Sequence, residues 1–153
     1  MLAIEKVDHV GIRVRSKEDS IAFYESLGFE TLSDTGFDQG HPIIMQHPSG
    51  VVLNLLGPAT ATSDTNILMD HDEKPAGITH VSFKIADMDA AKAALAERGI
   101  ALSGEFSFKG MHAIFIRDPD RNVIELDAYA GAEPETRAAP SDERIAGYQS
   151  HPD

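Results

Sequence analysis

Hydrophobic and polar residues alternate in two stretches of matching layout. In "VDHVGIRV" (7–14), Val10, Ile12 and Val14 alternate with His9, Gly11 and Arg13. This is the two-residue period of a strand with one buried face. "HVSFKI" (80–85) repeats it, with Val81, Phe83 and Ile85 opposite His80. After each strand the spacing turns helical. Ser16 reads as an N-cap with Asp19 three residues on, Ile21, Tyr24 and Leu27 recur at helical intervals, and Gly28 suits the stop. In the second stretch Asp87 is the cap, "MDAAKAALAER" is rich in helix formers, and Gly99 is the stop. Short strands are predicted near "FETLSD", "IIMQH" and "VVLNLL" in the first half, and near "ALSGEF", "HAIFIRD" and "NVIELDAY" in the second. "HPSG" and "DPDR" read as hairpin turns in which Pro pre-sets φ at the second position.

The two halves superimpose on one ungapped shift of 71 residues, the distance from His9 to His80. Gly28 falls on Gly99, His41 on His112, Pro48 on Pro119 and Asn54 on Glu125. Such self-similarity marks a duplicated unit. The pattern predicts an α+β fold of two tandem βαβββ modules in one domain over residues 1–130. The repeats are 5–56 and 76–130, with a loop-like linker at 57–75. Residues 131–153 form a polar, Pro-containing tail read as peripheral.

Composition narrows the function. The 153 residues suit a single compact domain, and no apolar run is long enough to span a bilayer. The start lacks a secretory layout, so a cytoplasmic location without membrane association is expected. A formal net charge of −12 repels phosphate backbones and argues against nucleic-acid binding. With no cysteine, the seven histidines and the carboxylates are the available transition-metal ligands.

Four polar residues share one property. His9, His80, Asn54 and Glu125 each lie opposite the apolar face of their strand, and the duplication pairs His9 with His80 and Asn54 with Glu125. Taken singly, each is an ordinary hydrogen-bonded strand histidine or a solvated polar group. Taken together they favour a metal site. His9, His80 and Glu125 are two imidazoles and one carboxylate, the facial set that binds a divalent transition metal and leaves positions open for substrate, water or oxygen. Asn54 is then a weak fourth ligand, a partner for a bound water, or pocket wall.

The paired modules, "HVGIRV…FYESLGFE" in the first half and "THVSFKIAD…FIRDPDRNVIEL" in the second, resemble the vicinal oxygen chelate superfamily over about residues 5–130. That group takes in lactoylglutathione lyase, extradiol dioxygenases, methylmalonyl-CoA epimerase and the fosfomycin and bleomycin resistance proteins. The resemblance implies a U-shaped sheet around a divalent metal that a small substrate chelates through adjacent oxygens. It places the metal ligands at His9, His80 and Glu125, with Glu125 also the catalytic base of a lyase-type reaction. It implies a homodimer, with His9 and Glu125 of one site on different subunits if the modules swap. At the fourth family position, often Glu or Gln in the lyases and epimerases, stands Asn54, and an amide is no general base. The dioxygenase members use Fe(II) or Mn(II), with His and Tyr residues for proton transfer, for which His112 and Tyr129 are the nearest candidates. Where the larger dioxygenases have a Tyr, ten residues before Glu125, this chain has Phe115.

The expectation is a metal-dependent enzyme leaning to dioxygenase chemistry with Fe(II) or Mn(II). Glyoxalase-type lyase or isomerase chemistry with Ni(II) or Zn(II) is the alternative, and a bleomycin-resistance-type binding protein without catalysis the further one. Arg13, His41, Phe115 and Tyr129 are candidate substrate contacts. Arg13 reads equally as a solvated strand end, His41 and His112 as rim residues, and Phe106, Phe108, Met111, Phe115 and Met45 as either pocket wall or core. His47 and His71 are surface residues in turn-like and loop-like segments.

Overall fold

The computed structural model describes residues 2–131; the predicted tail lies almost wholly outside them. The first module is β1 (Val10–Arg13), α1 (Lys17–Ser26), β2 (Glu30–Asp34), β3 (Ile43–Gln46) and β4 (Val52–Leu56). The second is β5 (His80–Lys84), α2 (Met88–Glu97), β6 (Gly104–Phe108), β7 (Met111–Arg117) and β8 (Val123–Tyr129). Each forms a four-stranded sheet, ordered β1-β4-β3-β2 and β5-β8-β7-β6. In both, the first strand runs parallel to the last and the other pairs are antiparallel. The fold is thus α+β with two βαβββ modules.

Local chemistry accounts for the elements. The Ser16 hydroxyl accepts from the Asp19 N–H at 3.2 Å and opens α1. The Asp87 carboxylate accepts from the Ala90 N–H at 2.9 Å and opens α2. Gly28 and Gly99 follow the helix ends at φ 95° and 69°, the left-handed conformation that terminates a helix without Cβ strain. The turns close with Gly50 N–H to His47 C=O at 2.8 Å and Arg121 N–H to Asp118 C=O at 3.0 Å. Two strands differ from the sequence pattern. β1 begins only at Val10, because β4 is its sole neighbour and their ladder starts at Val10–Leu53; His9 precedes it. β6 starts later than "ALSGEF" suggests and carries Phe106 and Phe108.

The inner strand faces and the helices enclose one apolar cluster drawn from both modules. Ile12, Leu53 and Leu55 of the first meet Ile114, Ile116 and Ile124 of the second. Phe29 packs on Phe83 across the junction, with ring centroids 5.8 Å apart. Polar contacts reinforce it. Tyr24 Oη donates to Asp118 Oδ2 at 2.9 Å, the Arg15 N–H to Asp120 Oδ2 at 2.9 Å, and Asn122 Nδ2 to the Arg13 carbonyl at 3.3 Å. The linker is tied back by Asn66 Nδ2 to the Arg121 carbonyl and by the Arg117–Asp70 ion pair at 2.9 Å. Among the described residues no helix is long and apolar enough to cross a membrane.

Candidate metal and substrate site

Register fixes which side chains share the open face of the second sheet. Ser82, Glu125 and Phe115 stand on one rung across β5, β8 and β7. By alternation, His80 of β5, Asp127 of β8 and Phe106 of β6 face the same way. Ile114, Ile116, Ile124 and Leu126 point oppositely, into the core.

His80 and Glu125 meet on this face, with Nε2 2.9 Å from Oε2. The other ring nitrogen, Nδ1, shares a 2.8 Å hydrogen bond with Thr79 Oγ1, which orients the imidazole. Glu125 is only 7% exposed although it belongs to the open face. Burial first, and then the charge and hydrogen-bonding reach of the Asp127 carboxyl, push its pKa up to about 7. Asp127 is held in turn by the Ser82 hydroxyl. An aromatic wall adjoins the pair. Phe115 presents its edge to His80 at 6.2 Å and stacks on Phe106 at 5.9 Å with 24° between ring planes.

The first sheet carries the other half of the predicted set. Asn54 is half-buried and in register with Gly11 and Ile44. His9 leads into this face, and its Nδ1 lies 2.8 Å from Asp8 Oδ2. His9 does not reach the His80–Glu125 pair. Among the described residues of one chain, no three His, Asp or Glu side chains come close enough together to hold a metal ion. His80 and Glu125 are two adjacent donors, short of the three that a facial set needs.

The remaining candidates divide by strand parity. Phe115 and Tyr129 lie on the Glu125 face, Phe115 on its rung and Tyr129 four residues along β8 at its end. Arg13 is exposed, in register with Leu56 on the Asn54 face. His41 is exposed in the loop before β3. His112 is a correction: in β7 it alternates with Phe115 and so points to the α2 side. There its Nε2 is 2.6 Å from Glu105 Oε1, and Lys92 of α2 binds the same oxygen. It therefore does not join the His80–Glu125 pair. Met45 is fully buried in the core rather than in a pocket wall. His47 bonds Ser49 within its turn, and His71 bonds Thr65 within the linker. A hollow of about 470 Å³ opens beside Phe108, Met111, His112 and Tyr129 without including His80 or Glu125.

Sequence reasoning passed over Asp118, Ser82 and Asp127. Asp118 is 3% exposed and accepts from Tyr24 Oη, from Asn122 Nδ2 and from the backbone N–H groups of Asp120 and Asn122. Its signal was the first Asp of "DPDRN", which looked like turn chemistry alone.

A family model for the Glyoxalase/Bleomycin resistance protein/Dioxygenase superfamily matches residues 6–126. The chain belongs to this superfamily. It is 28% identical over 129 residues to the uncharacterized protein YqjC of Bacillus subtilis (strain 168), covering 81% of this chain and 91% of that protein. Its fold is similar to a glyoxylase/bleomycin resistance protein/dioxygenase domain from Frankia sp. EAN1pec, with TM-score 0.70, 20% identity, and 86% and 96% of the two chains covered. It is also similar to a glyoxalase/dioxygenase from Nostoc punctiforme, with TM-score 0.69, 23% identity, and coverage of 86% and 97%. TnmS3, an antibiotic binding protein from Streptomyces sp. CB03234, superimposes with TM-score 0.64 and 26% identity over 85% of this chain and all of that one (100%).

Proposed function

We propose that this superfamily member is a divalent-metal-dependent enzyme that binds a small substrate through adjacent oxygens, with dioxygenase-type chemistry favoured and Fe(II) or Mn(II) as the metal. The observation that carries the reading is the His80–Glu125 pair, 2.9 Å apart on an open sheet face beside Phe115 and Phe106. An imidazole and a carboxylate side by side are two of the three donors of a facial set. A metal ion bound there would supply Lewis-acid activation of the substrate oxygens or of O2.

His9 is the third donor, delivered by a second copy of the chain. Two observations support this. His9 does not cluster with the pair within one chain, and the apolar residues leading into both histidines, Leu2, Ile4, Val7 and Ile78, all stand exposed. Exposed apolar runs of this kind mark surfaces that another molecule covers. In the completed cup, His80 and Glu125 of one chain and His9 of the other would hold the ion, with Asn54 as a further polar group. Phe106 and Phe115 offer a flat apolar surface for a planar substrate. Asn54 stands where lyase chemistry would want a carboxylate.

O2 uptake with catechol as the probe tests the activity. Protein loaded with Fe(II) or Mn(II) should consume O2 and open the ring, and Glu125→Gln should not. Turnover of a thiol hemithioacetal by Ni(II)- or Zn(II)-loaded protein, without O2 uptake, would replace this reading with the lyase one. The aromatic wall and the likeness to TnmS3 support a second reading, a binding protein for a planar ligand. That reading predicts saturable binding with no turnover under either condition.

A further inference from the structure

We propose that the groove between α1, the α2–β6 loop and the "DPDRN" turn is a second ligand site, one that takes a small carboxylate carried on an apolar body. The groove is a hollow of about 390 Å³, within the range of pockets that hold small ligands. Phe23, Ile100, Leu102 and Pro119 give it an apolar lining. Its charge comes from Arg117 and Arg121, and among the described residues no carboxylate lines it, in a chain of net charge −12. It shares no lining residue with the His80–Glu125 pair and needs no metal there.

Two observations point to an anion. The first is the backbone at Arg121. The duplication aligns Arg121 with Gly50, and both stand in the left-handed region, at φ 69° and 93°. Glycine adopts this conformation freely, whereas a residue with a side chain is strained there and persists only where its surroundings hold it. Here they do. The Arg121 carbonyl accepts from Arg117 Nη1 at 2.9 Å and from Asn66 Nδ2 at 3.1 Å. The second module thus keeps an arginine where the first makes the same turn with glycine. The second observation is unspent charge. Asp70 pairs with Arg117 at 2.9 Å and lies 3.6 Å from Arg121. One carboxylate against two guanidinium groups leaves one positive charge, and the Arg121 side chain is 45% exposed. The acids of the turn are engaged elsewhere, Asp118 with Tyr24 and Asn122, and Asp120 with Arg15. One net positive charge and a planar fork of donors suit a monoanionic carboxylate, and the apolar lining suits a hydrocarbon body.

The test is calorimetric titration of the full-length chain with octanoate, octanol and octyl phosphate, alongside melting temperatures without ligand. Octanoate should bind saturably, one per chain, and octanol about tenfold more weakly or worse. Arg121→Gly should weaken octanoate binding about tenfold or more. Its melting temperature should be unchanged or higher, because glycine relieves the left-handed backbone. Arg121→Lys, which keeps the charge but not the planar fork, should bind with intermediate affinity. Absence of saturable octanoate binding by the wild type would overturn the proposal. So would equal binding by Arg121→Gly, or equal affinity for octanol, which would leave the groove merely apolar. A fall in melting temperature that accompanies the loss of affinity in both variants would make Arg121 a strut of the turn and also overturn it. Tighter binding of octyl phosphate than of octanoate would overturn the assignment to a carboxylate.

Discussion

Gly57 has no room for a side chain. A Cβ there would lie 1.9 Å from Cζ of Phe37, a ring only 4% exposed in the core. Gly57→Ala must push that ring aside, and overpacking of this kind costs about 1–3 kcal/mol. Urea denaturation should show a lowered midpoint, and an unchanged midpoint would mean that the ring moves freely. At this scale the site was partly legible. A carboxylate at the centre of "VIEL" and histidines opposite the apolar faces of two strands are anomalies visible in the letters. Glu125 and His80 do meet. Asp127 was not legible as part of the same cluster, because its partners come from register: Ser82 is 45 residues away in the chain.

The "DPDRN" turn illustrates what elements add. Asp118 is buried at the start of the turn, and burial raises its pKa against the hydrogen bonds of Asn122, Tyr24 and Asp120 that lower it. The sign follows from that rise. An Asp118 pKa above the unfolded value means that its contribution to stability is greatest at low pH and is lost as pH rises through the folded value. The Tyr24 hydroxyl offsets part of this loss, because it stabilises the ionised form. Tyr24→Phe should therefore destabilise the protein by about 1–2 kcal/mol near neutral pH, and by less once Asp118 is protonated at acid pH. Denaturant melts at the two pH values check this, and equal penalties would contradict it. Helices were legible because their caps are local: Ser16 and Asp87 bond within three residues. Strand register was not. His112 shared a repeat position with His41 and looked like a rim residue, but the pairing of Phe115 with Glu125 turns it to the other face. β1 was read too long because alternation alone cannot say where the β4 ladder ends.

At the scale of the molecule, two modules share one apolar core, and within one chain His9 does not join His80 and Glu125, the other two donors of the proposed ligand set. That separation is the physical reason for invoking a second copy, and it has a direct consequence. His9→Ala and Glu125→Gln should each abolish metal binding as pure dimers. Co-expressed, they should form mixed dimers in which one site draws His80 and Glu125 from one chain and an intact His9 from the other. Random pairing then restores about a quarter of the sites; no restoration would place His9 and Glu125 of each site in the same chain. The proposed site needs His80 and Glu125 to hold a divalent metal. It is tested most directly by elemental analysis of protein purified without chelator or affinity-tag metal, beside Glu125→Gln. Near-stoichiometric Fe or Mn in the wild type, lost in Glu125→Gln, is the predicted result. No bound metal in either protein, even after reconstitution with Fe(II) or Mn(II), would rule out the metal site and leave Glu125 as the polar wall of a binding cup.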